Sequence, residues 1–324
     1  MTTIIHTHMH PRRTGVTTHV EDIVAALGKL NPSTYIFGES TRPELPHCSA
    51  ADIVDWAGQG QTLIWHAHRP HELRRGLRLK KRFPKMRVLW THHGWKQPGR
   101  WTQRSLHQSD ALIALTTAGA TQLPGSPHVI QHGVNLERFQ RKPDHPKTKT
   151  IGIIGRIRPD KGQLDLVEAA LPLLEEFPDW RLEMIGEIRP QHRGFAKKLF
   201  AHSPEKILHR PFTLEMEKVY ADLAIVVMAS HAEGFSLVMG EAMAMGCSVV
   251  ATRLPHFEQR FVDNTHALFY PPGDASALNQ QLHRLLIDES LRSRLSEAAY
   301  RHTQEHLSLE RESQALWSLY QTLL

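Results

Sequence analysis

Short apolar runs alternate with amphipathic stretches along this chain, and this alternation predicts strands and helices in turn. The strands predicted in the first half are residues 3–8, 34–37, 62–68, 87–91 and 109–116. Those predicted in the second half are residues 150–155, 180–185, 207–210, 224–228 and 248–252. Helical spacing of apolar residues connects them, for example over 20–30 and 163–177. Strands that alternate with helices predict an α/β chain with parallel sheets.

The alternation is interrupted once, at a polar, charged and proline-containing stretch over residues 140–150. Such a composition is typical of a linker. We therefore predict an N-terminal domain over 1–140, a C-terminal domain over 150–309 and a final helix over 310–324. A chain of 324 residues with 40% hydrophobic residues can build two such cores.

The composition also bears on location. No run of eighteen apolar residues is present, so no membrane span is predicted. The first residues lead directly into a strand, without the pattern of a secretory signal. Two cysteines, Cys48 and Cys247, imply no disulfide framework. We expect a cytoplasmic protein.

The net charge of +6 is distributed unevenly, because eight lysines and arginines fall within residues 74–87. One interpretation is a solvated basic helix face. The other is a surface that attracts an acidic lipid, an acidic sugar acceptor or nucleic acid. Because no motif resembles a nucleic-acid-binding module, we predict no nucleic-acid partner.

Histidine is unusually frequent, with 23 residues. His6, His8 and His10 alternate at the first strand, and His66 and His68 do so at the third. Alternating histidines can bind zinc and resemble the HxH of metal-dependent amidohydrolases. No Asp or Lys follows in a barrel pattern, however, and the second half has a different pattern. We therefore predict no metal site.

The most informative stretch is 231–246, HAEGFSLVMGEAMAMG, which lies between two predicted strands. Glu233 falls in the loop at a strand's carboxyl end, and Glu241 falls in the helix that follows. Ser236 is predicted to cap that helix and Gly246 to end it. Open α/β sheets bind ligands at this position, and a helix N-terminus favours a bound anion such as a pyrophosphate.

This stretch resembles the EGFGLxxLEAMAxGxPV signature of the family 4 retaining glycosyltransferases. Ser236 replaces the usual glycine, and Gly240 replaces an apolar residue. The resemblance covers nearly the whole chain and is strongest over 152–274. It implies the GT-B fold, in which two Rossmann-like domains face each other across a cleft. It also implies transfer of a sugar from a nucleoside diphosphate sugar with retention of anomeric configuration, and a final helix that packs back on the first domain.

The resemblance assigns roles in the second domain. Residues 155–162, GRIRPDKG, are similar to the family's GRLxxxKG, so Arg156 and Lys161 would bind the diphosphate. Fixed cations stabilise the charge that develops on the leaving group, which can replace a divalent metal. Glu241 would hold the ribose and Glu233 the sugar. The remaining donor contacts would come from Gly234, Phe235, Ser236 and Leu237. No cofactor is expected besides the nucleotide-sugar co-substrate.

In the first domain, residues 91–94 are similar to the family's TxHG, so His93 would contact the sugar or the acceptor. Gly15 matches the family's glycine-rich loop, with Arg12 and Arg13 as anion contacts. Residues 13–17, 65–67 and 130–134 resemble the lipopolysaccharide core mannosyltransferases. That narrower resemblance implies GDP-mannose as donor and an anionic glycolipid or polysaccharide as acceptor. It also implies contact with the inner membrane through 74–87.

Two other functions stay open at the level of sequence. One is a nucleotide-sugar epimerase or hydrolase on the same fold. The other is a non-catalytic subunit that binds the sugar nucleotide. The departures at Ser236, Gly240 and His256 favour the second, whereas the presence of Arg156, Lys161, Glu233 and Glu241 argues against it.

Overall fold

A computed structural model describes residues 2–142, 148–203 and 205–324. The chain forms two compact units. The first unit joins the residues up to Gly133 with Leu307–Leu324, and the second is Val134–His306. The chain thus passes between units at residue 133, a few residues before the predicted linker. Part of that linker, 143–147, lies outside the described residues.

The first unit contains a six-stranded parallel sheet in the order β2-β1-β3-β4-β5-β6. Its strands are β1 (Thr2–His8), β2 (Thr34–Gly38), β3 (Thr62–Ala67), β4 (Arg87–His92), β5 (Ala111–Ala114) and β6 (His128–Val129). The apolar runs predicted β1 to β5, because a parallel sheet covered on both faces needs continuous hydrophobic stretches, whereas the two-residue strand β6 was not predicted.

The second unit contains another six-stranded parallel sheet, in the order β12-β11-β10-β7-β8-β9. Its strands are β7 (Thr148–Ile154), β8 (Arg181–Ile185), β9 (Ile207–Arg210), β10 (Leu223–Met228), β11 (Ser248–Thr252) and β12 (Leu268–Tyr270). Counted within the unit, this is the Rossmann order 3-2-1-4-5-6. The strand order reverses between β7 and β10, so the loops after these two strands flank the switch point.

Helices cover both sheets. In chain order they are α1 (Gly15–Leu30), α2 (Ala50–Gly58), α3 (Pro70–Arg82), α4 (Arg100–Leu106), α5 (Thr117–Ala120), α6 (Gln163–Glu176), α7 (Arg193–Phe200), α8 (Met216–Asp222), α9 (Leu237–Ala244), α10 (Pro255–Glu258), α11 (Ala275–Ile287), α12 (Glu289–His306) and α13 (Leu309–Gln321). The last helix packs against α1, and Leu316 and Tyr320 are buried in the first unit's core.

The segment 74–87 is not one helix face, as one interpretation assumed. Helix α3 ends at Arg82, and Arg87 already begins β4. Lys80 forms an ion pair of 2.7 Å with Asp110, and Arg87 donates to the carbonyl of Leu323 at 2.8 Å. Several other basic residues remain exposed, namely Arg74, Arg78, Lys81, Arg82 and Lys85.

Over the described ranges, none of the helices combines the length and the apolar character that a bilayer crossing requires.

Candidate active site

Two loops meet at the switch point of the second unit. The loop after β7 leaves through Gly155, forms a 3₁₀ turn at Pro159–Lys161 and ends at Gly162, whose φ is 68°. A Cβ on Gly162 would lie 2.0 Å from the carbonyl oxygen of Ala229, in the loop after β10. Only glycine fits there, and its absence of a side chain lets the two loops touch.

Lys161 and Glu233 join these loops directly. The Lys161 ammonium donates to Glu233 Oε1, which also accepts from Ser230 Oγ at 2.9 Å. The side chains of Lys161 and Glu233 are 18% and 16% exposed, so both remain accessible from solvent. A cation and a carboxylate predicted from separate motifs therefore lie together at the switch point.

Arg156 adds a second cation to the loop after β7. Its guanidinium makes no ion pair among the described residues and is half-buried. Burial, followed by the positive charges of Arg158 and Arg189, lowers the pKa of Arg156. Arg158 and Arg189 are each paired with a carboxylate, of Asp160 and Glu187 respectively. This leaves Arg156 as the cation of this cluster that can attract an anion.

The motif 233–237 leads from the second loop into α9. Phe235 is buried, Gly234 and Ser236 are half-buried, and Leu237 is the first helical residue. Ser236 occupies the N-cap position, as predicted, but its side chain makes no cap hydrogen bond. Its φ of 65° and ψ of 103° suit glycine, which is the residue that the family has at this position.

Glu241 lies on α9 and accepts a hydrogen bond of 2.7 Å from the Tyr220 hydroxyl. Burial, and then the charge of Glu241, raise the pKa of Tyr220, so the phenol remains a donor. The structure also explains why a glycine, Gly240, precedes Glu241 where the family has an apolar residue. A Cβ there would lie 2.7 Å from Val134 Cγ2, so an apolar residue would clash at this packed position.

Two buried residues next to this motif were not predicted as site residues. Arg260 stacks on Phe235, 3.8 Å from the ring centroid, and donates to the Phe235 carbonyl at 3.3 Å. Burial lowers its pKa to about 9. Burial, followed by the charge of Arg260, lowers the pKa of His256 to about 4. The sequence feature that could have pointed to these two residues is the departure from the family's glycine-rich pattern over 253–263.

Gly15 does not lie in a loop, as the sequence indicated, because it is the first residue of α1. Thr14 and Thr17 form a capping box that starts the helix there, with Thr17 Oγ1 accepting from the Thr14 amide at 2.8 Å. Arg13 donates two hydrogen bonds of 2.6 Å to the carboxylate of Glu21. Of the two predicted anion contacts, only Arg12 is exposed.

His93 belongs to a chain of hydrogen-bonded side chains inside the first unit, which we call the histidine chain. Its Nδ1 is 3.1 Å from His132 Nε2, and its Nε2 is 3.0 Å from His68 Nδ1. The other contacts of the chain are Glu312–His132 at 2.9 Å, His68–His6 at 3.1 Å, His6–Tyr320 at 3.1 Å, Tyr320–His66 at 2.6 Å and His66–Thr91 at 2.6 Å. Both ring nitrogens of His93 are thus engaged within the protein.

The negative charge of Glu312, at one end of the histidine chain, fixes the direction in which the hydrogen bonds of this chain are donated. Ionised Glu312 can only accept, so His132 must carry its proton on Nδ1. Each neutral ring then donates through Nδ1 and accepts through Nε2, as far as Thr91. Burial is the largest cause that lowers the pKa of His6, His68 and His93, and it lowers that of His66 to about 3. The rings of His6, His66, His68 and His93 are therefore neutral.

A cavity of about 880 Å³ lies elsewhere in the second unit. It borders the amino ends of β7, β10 and β11, through Thr148, Asp222 and Ser248. Open parallel sheets bind ligands at the carboxyl ends of their strands.

The fold and the geometry of the site can now be compared with those of known classes of protein. The structure of Anabaena Alr3699/HepE in complex with UDP matches this chain with a TM-score of 0.83 at 15% identity, covering 99% of this chain and 100% of that chain. The chain has the GT-B fold, as predicted. The family described as "Glycosyl transferases group 1" matches residues 122–302. That is more than half of the chain, which therefore belongs to this family.

The chain is similar to two proteins that carry the name LpcC. The lipopolysaccharide core biosynthesis mannosyltransferase LpcC of Rhizobium leguminosarum bv. viciae is 27% identical, over 99% of this chain and 96% of that protein. The C-terminal domain of a glycosyl transferase group 1 family protein (LpcC) from Francisella tularensis is 30% identical. It covers 54% of this chain and 99% of its own, with a TM-score of 0.52.

Proposed function

We propose that this glycosyltransferase moves a sugar from a nucleoside diphosphate sugar to a glycolipid or polysaccharide hydroxyl, with retention and without a catalytic metal. The observation that carries the proposal is the Lys161–Glu233 pair at the switch point, with Arg156 on the same loop. Cations and a carboxylate at that point suit the two halves of such a donor, its diphosphate and its sugar hydroxyls.

The roles follow from this placement. Arg156 and Lys161 bind the diphosphate, and the Lys161 ammonium exchanges Glu233 for the phosphate oxygens. Glu233 then accepts hydrogen bonds from the sugar. Glu241 accepts from the ribose hydroxyls, while Gly234, Phe235, Ser236 and Leu237 line the donor near the start of α9. His93 contacts the sugar or the acceptor by exchanging one of its two hydrogen bonds within the histidine chain. The leaving phosphate itself accepts the acceptor's proton, so no protein nucleophile is assigned.

Mannose from GDP-mannose is the proposed donor sugar, and the core of a lipopolysaccharide is the proposed acceptor. The similarity to the Rhizobium mannosyltransferase supports both, since it extends over 99% of this chain. The exposed basic residues of 74–87 suit an anionic glycolipid and peripheral contact with the cytoplasmic face of the inner membrane. The protein would then act on its lipid acceptor at that surface.

Calorimetric titration with GDP, UDP and ADP, without added metal, tests the donor. Selective GDP binding supports the mannosyltransferase. Selective UDP binding retains glycosyl transfer but rejects mannose. Absence of binding to all three favours the non-catalytic subunit. Product analysis without acceptor separates transfer from hydrolysis or epimerisation, because a transferase leaves most of its donor intact under those conditions.

A further inference from the structure

A small cavity inside the first unit is lined by an unusual set of side chains. It measures about 10 Å³, which is room for one water molecule or one bare ion. Its polar lining consists of His6, His19, His66, His68, Thr91, His132 and Glu312. All of these side chains are buried. An atom-sized space among imidazoles and a carboxylate has the ligand types that bind divalent transition metals.

Three of these residues converge on a single point. His19 Nε2 lies 3.0 Å from Glu312 Oε1, and His132 Nδ1 lies 2.9 Å from the same oxygen. The three ligand atoms all lie within 4.8 Å of one another. Tetrahedral Zn²⁺ with bonds of about 2.0–2.1 Å separates its ligand atoms by roughly 3.4 Å. Opening the two contacts by about half an ångström would therefore admit the ion.

The surroundings of Glu312 match those of a metal-binding carboxylate. Its second oxygen, Oε2, accepts from the Gly133 amide at 2.7 Å, which fixes its orientation. The other nitrogen of His132 contacts His93. Partners of this kind orient metal ligands and are a usual part of such sites.

A second triad, His6, His66 and His68, also has its ligand atoms within 4.8 Å. It is the weaker site because it contains no carboxylate, and a divalent ion there would keep its full charge in a buried place. The nitrogens of these rings already have partners along the histidine chain. The triad with Glu312 supplies one negative charge and two neutral donors.

We propose that His19, His132 and Glu312 bind a divalent transition-metal ion, for which Zn²⁺ is the best match, as a structural site of the first unit. The ion would join α1, the segment at 132–133 and α13, which are far apart in sequence. This inference departs from the expectation of no metal and does not depend on the proposed glycosyl transfer. The site would stabilise the fold and take no part in chemistry.

Metal binding has a consequence for the whole histidine chain. An ion on His132 Nδ1 needs the lone pair there, so the proton moves to Nε2. His132 then donates to His93, and each following ring must donate through Nε2 instead of Nδ1. The number of protons in the chain stays the same, because each ring remains neutral. A reversal of tautomers is therefore the signature of the bound ion.

The test uses the full chain, freed of metal with a chelator and titrated with Zn²⁺ and with Co²⁺. We expect one equivalent of Zn²⁺ to bind, with the visible absorption of tetrahedral Co²⁺. His19→Gln and Glu312→Gln should each weaken binding by more than about tenfold, since loss of outer-shell partners alone costs about 10–100-fold. Failure of the wild-type chain to bind either ion would overturn the proposal.

A control excludes adventitious binding by surface histidines. His302 stacks on His266, with 4.3 Å between ring centroids, and contacts His306 in the second unit. His302→Gln should leave Zn²⁺ binding unchanged, and a loss confined to this variant would overturn the proposal. If the ligand variants do not fold, ¹⁵N spectra of the wild-type histidines decide. Zinc must move the proton of His93 from Nδ1 to Nε2, and unchanged tautomers with zinc bound would contradict the site.

Discussion

Lys161 and Glu233 form a direct ion pair, although 72 positions separate them in the sequence. The pair spans the point where the strand order of the second sheet reverses. Each side chain neutralises the other and holds it in place. When a donor binds, the phosphates and the sugar would provide the replacement partners, so the pair keeps the site preorganised at little cost.

Lys161→Ala should lower kcat/KM by at least about 100-fold, because the leaving diphosphate would lose a fixed counter-ion in the transition state. Donor turnover with a glycolipid acceptor measures this. Lys149→Ala is the matched control, since Lys149 pairs with Asp179 at 3.0 Å on an exposed part of the same unit. Near-normal turnover in Lys161→Ala would reject the assignment.

Glu241→Ala should weaken binding of the preferred nucleoside diphosphate but leave that of inorganic diphosphate unchanged. Hydrogen bonds to a charged group contribute about 1.5–3 kcal/mol, which corresponds to roughly a 10–100-fold loss. Arg156→Ala is the comparison, because it should weaken both ligands. Calorimetry distinguishes the two patterns, and equal losses for both ligands in Glu241→Ala would disprove the ribose role.

Ser236→Gly should raise the free energy of unfolding by about 1 kcal/mol, because a non-glycine residue at positive φ is strained. The φ of 65° at Ser236 creates this strain. Ser236→Ala retains the Cβ and should bring no such gain, so it serves as the control. Chemical denaturation measures both variants. A glycine variant less stable than the wild type would show that the backbone there is not strained.

His256→Gln should reduce the acid sensitivity of folding. The pKa of His256 is lowered from 6.5 to about 4 in the folded protein. The unfolded chain therefore binds the proton first, and stability falls as the pH drops from 6.5 to about 4. The full shift corresponds to at most about 3 kcal/mol.

The measurement for His256 is the unfolding free energy at pH 7 and pH 4 in both proteins. Other buried histidines also lower the stability of the folded protein in acid. The quantity to compare between the wild type and the variant is therefore the drop in unfolding free energy from pH 7 to pH 4. An identical drop in both proteins would mean that His256 takes up its proton equally well in the folded state.

Charge reversal on α3 should weaken binding to anionic vesicles. Arg74, Arg78 and Lys81 are exposed and lie three or four residues apart on this helix. Each basic residue near such a surface contributes about 1 kcal/mol, so reversing all three should lower partitioning by at least about tenfold. Co-sedimentation with mixed phosphatidylglycerol and phosphatidylcholine vesicles measures this.

A matched triple variant controls for net charge. Arg193, Lys197 and Lys198 are exposed on α7 in the other unit, and reversing them changes the total charge equally. This variant should bind anionic vesicles as the wild type does. Equal losses in both triple variants would indicate a non-specific charge effect rather than a membrane-facing helix.

Much of this fold is visible in the sequence because parallel strands are buried on both faces. The run at 224–228 falls within β10, and that at 248–252 matches β11. The exact ends of individual helices were harder to predict. Helix α1 begins earlier than the apolar spacing indicated, because a threonine pair, Thr14 and Thr17, caps it instead of the usual Thr and Glu.

The site was predictable where chemistry is carried by a local motif and not where it depends on distant partners. Arg156, Lys161 and Glu233 occur in short stretches with recognisable spacing. The neutral state of His66, by contrast, results mainly from burial, and its hydrogen-bond partner Tyr320 is 254 positions away. Burial and partner geometry decide such states, and neither can be read from the order of residues.

The return of residues 307–324 to the first unit has a consequence for how this protein is made. During synthesis, the second unit is finished while the first still lacks α13. Until Leu316, Tyr320 and Glu312 arrive, the helix α1 and the rings of His6 and His132 have no partners on that side. Most of the first unit leaves the ribosome before the second unit does. The first unit is nevertheless among the last parts of the protein to reach its native packing.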